Sequence, residues 1–287
     1  MKQVQSVRKN NEGHWVGDAF PVRTLFSYSD DAQTFSPFLL LDYAAPFMFT
    51  PSPKHKRGVG EHPHRGFETV TIVYSGEVDH RDSSGAGGSI GPGDVQWMTA
   101  ASGIVHEEFH SQAFSDRGGL FEVVQLWVNL PKKDKLSKPH YQGILNKQIP
   151  VVNLPNDAGT ARIIAGELQG AKGSATTFTP INLWDLRLNE GKSSTYSFQP
   201  GHNCLILVLD GKVKVGDTIL NPTELAVLDS KETTLQVSAL AQSKCLILSG
   251  EPIPEPVFGY GPFVMNNENE IRQAITDYQS GRMGHLS

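Results

Sequence analysis

Two histidines separated by one proline, His62-Pro63-His64, form the sharpest chemical signal in the sequence. On a β-strand, residues i and i+2 point to the same face, roughly 6.6 to 7 Å apart along the chain, so the two imidazoles can converge on one metal ion. Pro63 has no backbone N–H to donate, which places the segment on a sheet edge or at the start of a strand. The alternative explanation is a pair of surface histidines near a loop.

A second group of candidate ligands follows further along the chain, at His106, Glu108 and His110. On a strand these three residues share one face, while Glu107 points the other way. Two of the three can complete a site with the histidine pair. Three imidazoles and one carboxylate suit Fe(II), Mn, Ni, Cu or Zn, and leave coordination positions open when the ion is five- or six-coordinate. Open positions indicate catalysis.

The same segment also reads HEEFH, the H-E-x-x-H pattern of zinc metalloproteases, in which both histidines bind zinc from one face of a helix. That interpretation requires a helix from His106 to His110. The β-branched residues Ile104 and Val105 precede the motif without an evident helix cap. A helix would also leave the first histidine pair without a function, so a strand is favoured.

Composition and charge exclude several functional classes. The chain of 287 residues is 38% hydrophobic and 19% charged, as in an ordinary globular protein, and its net charge of -5 argues against direct binding of nucleic acid. The two cysteines, Cys204 and Cys245, do not form a CxxC pair, so neither a disulfide framework nor a cysteine zinc site is indicated. The sequence shows no secretory signal and no apolar stretch long enough to span a membrane. We therefore expect a cytoplasmic protein without a membrane partner.

The histidines are distributed unevenly. Eight of the ten lie in the first 140 residues. A chain of this length forms about two domains and buries enough surface to fold without a structural metal. Any metal is therefore expected to be functional. If the two halves of the chain form two domains, the uneven histidines predict that their chemistry differs.

Short runs rich in Val, Ile, Thr and aromatic residues predict strands with no amphipathic helices between them, which is typical of antiparallel sandwiches or barrels. One helix is predicted over residues 267–280, capped by Asn267 and closed by Gly281. The lysine-rich segment 132–142 is predicted to be a linker. Gln125, on the predicted strand 121–129, is interpreted as a neighbour within a sheet and not as a pocket residue.

Five segments, in order along nearly the whole chain, resemble the pirin family of the cupin superfamily. They are HPHRGFETVTIVYSGEVDHRDSSGAGG (62–88), GDVQWMTAASGIVHEE (93–108), QLWVNLP (125–131), ARIIAGELQG (161–170) and YGPFVMNNENEIRQAITDYQSGRMG (260–284). The resemblance implies a mostly β protein of two consecutive cupin, jelly-roll-like antiparallel β-barrels with a short C-terminal helix. The expected division is a metal-binding N-terminal cupin over residues 1–131, a linker and crossover over 132–160, and a degenerate C-terminal cupin with the terminal helix over 161–287.

Carried over residue by residue, the family's metal ligands fall on His62, His64, His106 and Glu108. A general cupin would take its carboxylate from the position of Glu68, which can share the face of the histidine pair. The pirin resemblance favours Glu108 and leaves Glu68 as a group beside the ligands. Whether Glu68 or His110 contributes to the site stays open.

The resemblance further implies a preference for Fe(II), with Mn, Ni, Cu and Zn as other divalent ions, and quercetin 2,3-dioxygenase activity. The expected partners are then a small flavonol-like aromatic substrate and O2. Glu108, as a ligand and nearby base, is the expected acceptor of the substrate's proton. The alternative is a metal- and redox-dependent regulatory protein that binds transcription or metabolic proteins without turnover.

Overall fold

The computed structural model of the protein describes residues 1–286, and antiparallel β-strands dominate it. In chain order the first half contains β1 (Val4–Arg8), β2 (His14–Val16), β3 (Phe20–Phe26), α1 (Ala32–Phe35), β4 (Phe38–Phe49), β5 (Gly58–His64), β6 (Phe67–Ser75), β7 (Val78–Asp82), β8 (Gly87–Ile90), β9 (Val95–Thr99), β10 (Ile104–His110), α2 (Gln112–Arg117), β11 (Gly119–Asn129) and β12 (His140–Ile144).

The second half continues with a 3-10 turn (Asn146–Gln148), β13 (Val151–Leu154), a second 3-10 turn (Pro155–Asp157), β14 (Gly159–Ala165), β15 (Glu167–Leu168), β16 (Ala171–Lys172), β17 (Ile181–Leu188), β18 (Ser193–Ser197), β19 (Asn203–Asp210), β20 (Val213–Val215), β21 (Thr218–Leu220), β22 (Leu225–Leu228), β23 (Thr234–Ala239), β24 (Ser243–Gly250), β25 (Phe258–Tyr260), β26 (Phe263–Met265) and α3 (Glu268–Gln279). None of the helices within residues 1–286 has the length and apolar character needed to cross a membrane.

Contacts divide the chain into two compact units. The first, called here the site unit, comprises residues 12–32, 37–146 and 253–287, and the second unit comprises residues 1–11, 33–36 and 147–252. The sequence-based boundaries differ, because they assign residues 132–146 to a linker and residues 253–287 to the C-terminal domain. Strand pairing explains the placement of residues 132–146, since β12 adds to the sheet of β9 in the site unit. Residues 1–11 also differ from the sequence-based division, because β1 pairs with β22 in the second unit.

The site unit contains a seven-stranded sheet in the order β12-β9-β6-β11-β4-β3-β2 and a four-stranded sheet in the order β5-β10-β7-β8. Apolar side chains from both sheets meet in one cluster, with Val73 and Val123 from the large sheet and Val78 and Ile90 from the small one. Alternate residues of a strand face opposite sides, so each strand gives the core every second side chain. The remaining inward positions are available for chemistry.

The second unit repeats this plan. Its seven-stranded sheet has the order β1-β22-β19-β24-β17-β14-β13, and its four-stranded sheet has the order β18-β23-β20-β21. In both units the two sheets are separate and do not form one closed barrel. Cys204 and Cys245 are buried and unpaired in the core of the second unit, where burial raises the pKa of each thiol to about 12. Both cysteines therefore pack as core residues.

The predicted C-terminal helix is confirmed as α3, in the site unit. The Asn267 side chain accepts a hydrogen bond from the backbone N–H of Glu270 at 3.0 Å, as an N-cap does. Ile271 and Ala274 form its buried face and pack in a cluster with Phe263 and other apolar residues.

Gly66 closes the turn that follows the histidine pair. Its φ of +90° is left-handed, and a Cβ atom there would lie 2.0 Å from the carbonyl oxygen of Val264. The buried ammonium of Lys135 donates to the carbonyls of Gly66 (2.7 Å) and Val264 (3.0 Å) and to Oδ1 of Asn129 (2.6 Å). The hydrogen bonds of Lys135 thus connect the turn after β5 to β26.

We expect Gly66→Ala to destabilise the protein strongly. The left-handed backbone costs an L-residue about 1–2 kcal/mol, and the displaced packing adds roughly 1–3 kcal/mol. Gly85→Ala is the matched control, because Gly85 has a φ of +83° but nothing within 4 Å of its Cβ position. Urea unfolding should show the smaller loss for Gly85→Ala, and equal losses would contradict the close approach to Val264.

Candidate metal centre

Three histidines converge because β5 and β10 pair antiparallel with His106 directly opposite His62. The ring centroids of His62 and His106 are 4.2 Å apart, and those of His64 lie 4.9 Å from His62 and 4.8 Å from His106. One ring nitrogen from each residue lies within 4.8 Å of the others. The edge position predicted from Pro63 is confirmed, since β5 is the outer strand of the four-stranded sheet.

The ring nitrogens of the three histidines that make no hydrogen bond are suited to binding a metal ion. Nδ1 of His62 lies 2.8 Å from the carbonyl oxygen of Gly60, which only accepts, so Nδ1 carries the proton and Nε2 keeps its lone pair. Nδ1 of His64 and Nε2 of His106 are buried, and neither has a hydrogen-bond partner within residues 1–286. A buried polar atom without a partner is costly, and coordination would satisfy it. These residues therefore fit a divalent ion.

Burial also keeps two of the rings neutral. Loss of solvent, followed by repulsion from the neighbouring imidazoles, lowers the pKa of His64 and of His106 well below the ordinary value of 6.5. Because neutral imidazole is the form that binds metals, the site does not need to release these protons before binding at neutral pH.

Glu108 lies beside this group on β10. Its carboxylate and the ring nitrogens of His106 and His80 form a second cluster within 4.8 Å. The carboxylate accepts two long hydrogen bonds at Oε1, from Gln96 Nε2 at 3.4 Å and from the Thr71 hydroxyl at 3.5 Å. The four residues suggested by the family resemblance are thus divided between two clusters that share His106, with His62 and His64 in one and Glu108 in the other.

His80 is a functional candidate that the sequence analysis missed. Its Nδ1 lies 3.2 Å from Nδ1 of His106, and its Nε2 lies 3.4 Å from Oδ2 of Asp82. The carboxylate only accepts, so His80 donates from Nε2 and keeps Nδ1 as an acceptor, which Nδ1 of His106 and Nε2 of Gln96 both approach to 3.2 Å. This arrangement leaves Nε2 of His106 free for a metal, as partners of metal-binding histidines commonly do. The alternation of His80 and Asp82 on β7 was the available signal.

Two residues left open by the sequence lie outside both clusters. Glu68 belongs to the large sheet, where its Oε1 accepts a 2.7 Å hydrogen bond from the Thr99 hydroxyl. Burial raises the pKa of Glu68 from 4.5 to about 7. His110 donates from Nε2 to the carbonyl of Ala19 at 3.2 Å and packs among Phe49 and other phenylalanines, with ring centroids from 4.7 Å.

The zinc protease interpretation is wrong, because residues 104–110 form a strand and not a helix. His106 and His110 therefore do not meet on one helical face. Glu107, which would be the catalytic base of such a protease, instead forms an ion pair with Arg81.

A cavity of about 380 Å³ opens beside the candidate ligands, within the range typical of small-molecule sites. Most of its wall is apolar. The interpretation of Gln125 as a mere sheet neighbour is wrong, since this residue lines the cavity. The lining residues are Val16, Phe20, Val22, Asp42, Ala44, Val59, His62, His64, Glu108, Val123, Gln125, Trp127, Gly261 and Pro262.

We expect His64→Ala and His106→Ala to remove stoichiometric metal while the fold persists. Each variant loses a buried nitrogen of the cluster, whereas a core of this size does not rely on an ion. Elemental analysis of anaerobically purified protein and circular dichroism measure the two outcomes.

His110→Phe is the matched control, because it replaces a buried histidine that lies among phenylalanines and outside the clusters. It should retain the metal. Unfolding of His64→Ala or His106→Ala would instead make the ion structural.

A second prediction concerns Glu68 in the metal-free protein. Its folded-state pKa of about 7 exceeds the ordinary 4.5, so its stabilising contribution is complete below pH 4.5 and is lost as the pH rises through 7. From about pH 4 to about pH 8, Glu68→Gln should gain about 3 kcal/mol of stability relative to the wild type. Urea unfolding across this range tests the slope, and a difference that does not vary with pH would refute the assignment.

Comparison with known proteins agrees with this architecture. The pirin family model matches residues 19–128, and the model of the pirin C-terminal cupin domain matches residues 183–284. A Pseudomonas aeruginosa protein named "putative quercetin 2,3-dioxygenase PA2418" is 54% identical over 98% of this chain and 98% of its own length.

Solved structures are also similar. A quercetin 2,3-dioxygenase from Acinetobacter baumannii is 52% identical, with a TM-score of 0.96 and full coverage of both chains. A bacterial pirin from Escherichia coli in complex with nickel(II) is 20% identical, with a TM-score of 0.66 over 86% of this chain and 99% of its own; this likeness shows the fold alone. By the two family matches and the high identity of its relatives, the chain belongs to the pirin family and contains two cupin domains.

Proposed function

We propose that the protein is a mononuclear metal-dependent quercetin 2,3-dioxygenase, which cleaves a flavonol ring with O2. The observation that carries the proposal is the meeting of a three-histidine cluster with a largely apolar cavity of about 380 Å³, which His62, His64 and Glu108 all line. The relatives named as quercetin 2,3-dioxygenases support the same substrate class.

The proposed ligands are His62, His64, His106 and Glu108. When bound, a divalent ion supplies Lewis acidity toward the flavonol hydroxyl and redox chemistry toward O2. We propose Fe(II), on the family resemblance. The nitrogen and oxygen donors also suit Mn, Ni, Cu and Zn, and the relative from E. coli was solved with nickel(II).

Glu108 is the proposed proton acceptor. Its carboxylate lines the cavity that also contacts His62 and His64, so it faces the place where a substrate hydroxyl would lie. Its two hydrogen bonds, from Gln96 and Thr71, are long and come from neutral groups. A carboxylate in this position can receive the proton of the hydroxyl.

The cavity wall is suited to a flat aromatic ring. Trp127 stacks on Phe67 with a centroid distance of 4.3 Å and meets the ring of His64 edge to face at 5.4 Å. Trp127 is thereby held rigid between the core and the candidate ligands. A flavonol ring at this wall would bury apolar surface and exclude water from Glu108.

The test is aerobic turnover of quercetin by protein loaded with Fe(II) under anaerobic conditions. We expect loss of the flavonol absorbance together with one O2 consumed per quercetin. His106→Ala should fall to the level of free iron, and His110→Phe should retain activity. Wild-type turnover no faster than free Fe(II) would contradict the proposal and favour the regulatory function without turnover.

A further inference from the structure

A row of polar side chains crosses the large sheet of the site unit. Directly paired positions run from Gln96 on β9 to Thr71 on β6, Gln125 on β11, Asp42 on β4 and Thr24 on β3. Residues paired in this way point to the same face of a sheet. The row therefore lies on one face, which is the cavity face, because Gln125 and Asp42 both line the cavity.

The two ends of the row differ in their neighbours. At one end, Gln96 and Thr71 donate to the Glu108 carboxylate, and the Thr71 hydroxyl also lies 2.9 Å from Oε1 of Gln125. Asp42 stands two strands beyond Thr71. Since neighbouring strands are about 4.8 Å apart, this carboxylate lies roughly 10 Å along the wall from the end at Glu108.

Asp42 is unusual for its position. It belongs to the buried centre of β4, between Leu41 and Tyr43, and only 8% of its surface is exposed. Its Oδ1 accepts a 2.5 Å hydrogen bond from the Thr24 hydroxyl. Burial raises the pKa of Asp42, although Thr24 and the charge of His14 act in the opposite direction.

A carboxylate can accept about four hydrogen bonds, so the contact with Thr24 leaves most of its capacity unused. The neighbouring cavity wall is apolar at Val22, Ala44 and Val123, and Gln125, paired directly with Asp42, is the polar lining residue on the adjacent strand. Burying a polar group in such surroundings lowers stability unless hydrogen bonds compensate. A ligand that brings a hydroxyl donor into the cavity would supply one.

We propose that Asp42 is a specificity-determining residue that accepts a hydrogen bond from a ring hydroxyl of the aromatic ligand, at the end remote from Glu108. The separation of the two carboxylates along the row requires a ligand longer than one aromatic ring. The inference rests on the proposed function, because it assumes that the ligand is a polyhydroxylated flavonol held at its other end beside the candidate metal centre.

The test compares two ligands by anaerobic absorbance titration of the Fe(II)-loaded protein, in which binding is measured without turnover. Quercetin carries several ring hydroxyls, whereas 3-hydroxyflavone keeps only the hydroxyl at position 3. Asp42→Leu should weaken quercetin binding about tenfold or more, as expected for loss of a hydrogen bond to a charged group. Binding of 3-hydroxyflavone should change by less than about twofold.

Asp42→Asn is the second variant, because it preserves the shape of the side chain and the contact with Thr24 should Asp42→Leu fail to fold. It should also weaken quercetin selectively, by a smaller factor. Asp79→Asn is the matched control: it removes the same charge from a side chain that is 38% exposed and outside the cavity. It should leave the binding of both flavonols unchanged.

Equal losses for the two flavonols, or no loss for quercetin in either Asp42 variant, would overturn the inference. So would a wild-type protein that does not bind quercetin. If the wild type binds both flavonols but does not cleave quercetin in air, the proposed dioxygenase function fails, while selective weakening in the Asp42 variants still supports the hydroxyl subsite.

Discussion

The antiparallel pairing of β5 with β10 is the constraint on which the candidate metal centre depends. It places His62 opposite His106 at a sheet edge. Because side chains alternate along a strand, a slip of one residue in this register would turn the imidazoles of one strand away from those of the other. The end of β5 is held in turn by the Gly66 turn and by the three hydrogen bonds of Lys135.

The same pairing sets the chemistry of the imidazoles. Once β10 lies between β5 and β7, His106 is buried against His80 on one side and His62 on the other. Burial favours the neutral form of the rings, and the contacts to Gly60 and His80 decide which nitrogen carries the proton. Packing and metal-binding capacity are therefore consequences of one arrangement.

The second unit has the same arrangement of sheets without the histidine cluster. It has the same pair of seven- and four-stranded sheets, but large apolar side chains fill the space between them, including Trp184 stacked on Phe198 at 5.3 Å. Within residues 1–286, the clusters able to hold a metal all lie in the site unit. The cupin architecture thus supports either a packed core or a polar centre with a cavity, depending on the inward-facing residues.

Side-chain alternation, proline geometry and helix capping were enough to predict part of the fold and of the candidate metal centre. The alternation of side chains along a strand predicts that His62 and His64 share a face and that Glu107 points away, Pro63 predicts an edge strand, and Asn267 predicts the start of α3. These features depend only on residues close in sequence.

Sequence spacing could not decide that Glu108 and not Glu68 lies beside His106. It also could not decide that His110 packs among phenylalanines, or that His80, Gln125 and Asp42 face the site. Those outcomes depend on which distant strands pair and in what register, and the pairing is decided by burial of the whole core. The sequence by itself therefore determined the types of the candidate ligands and their local directions, and only the tertiary structure decided which of them meet.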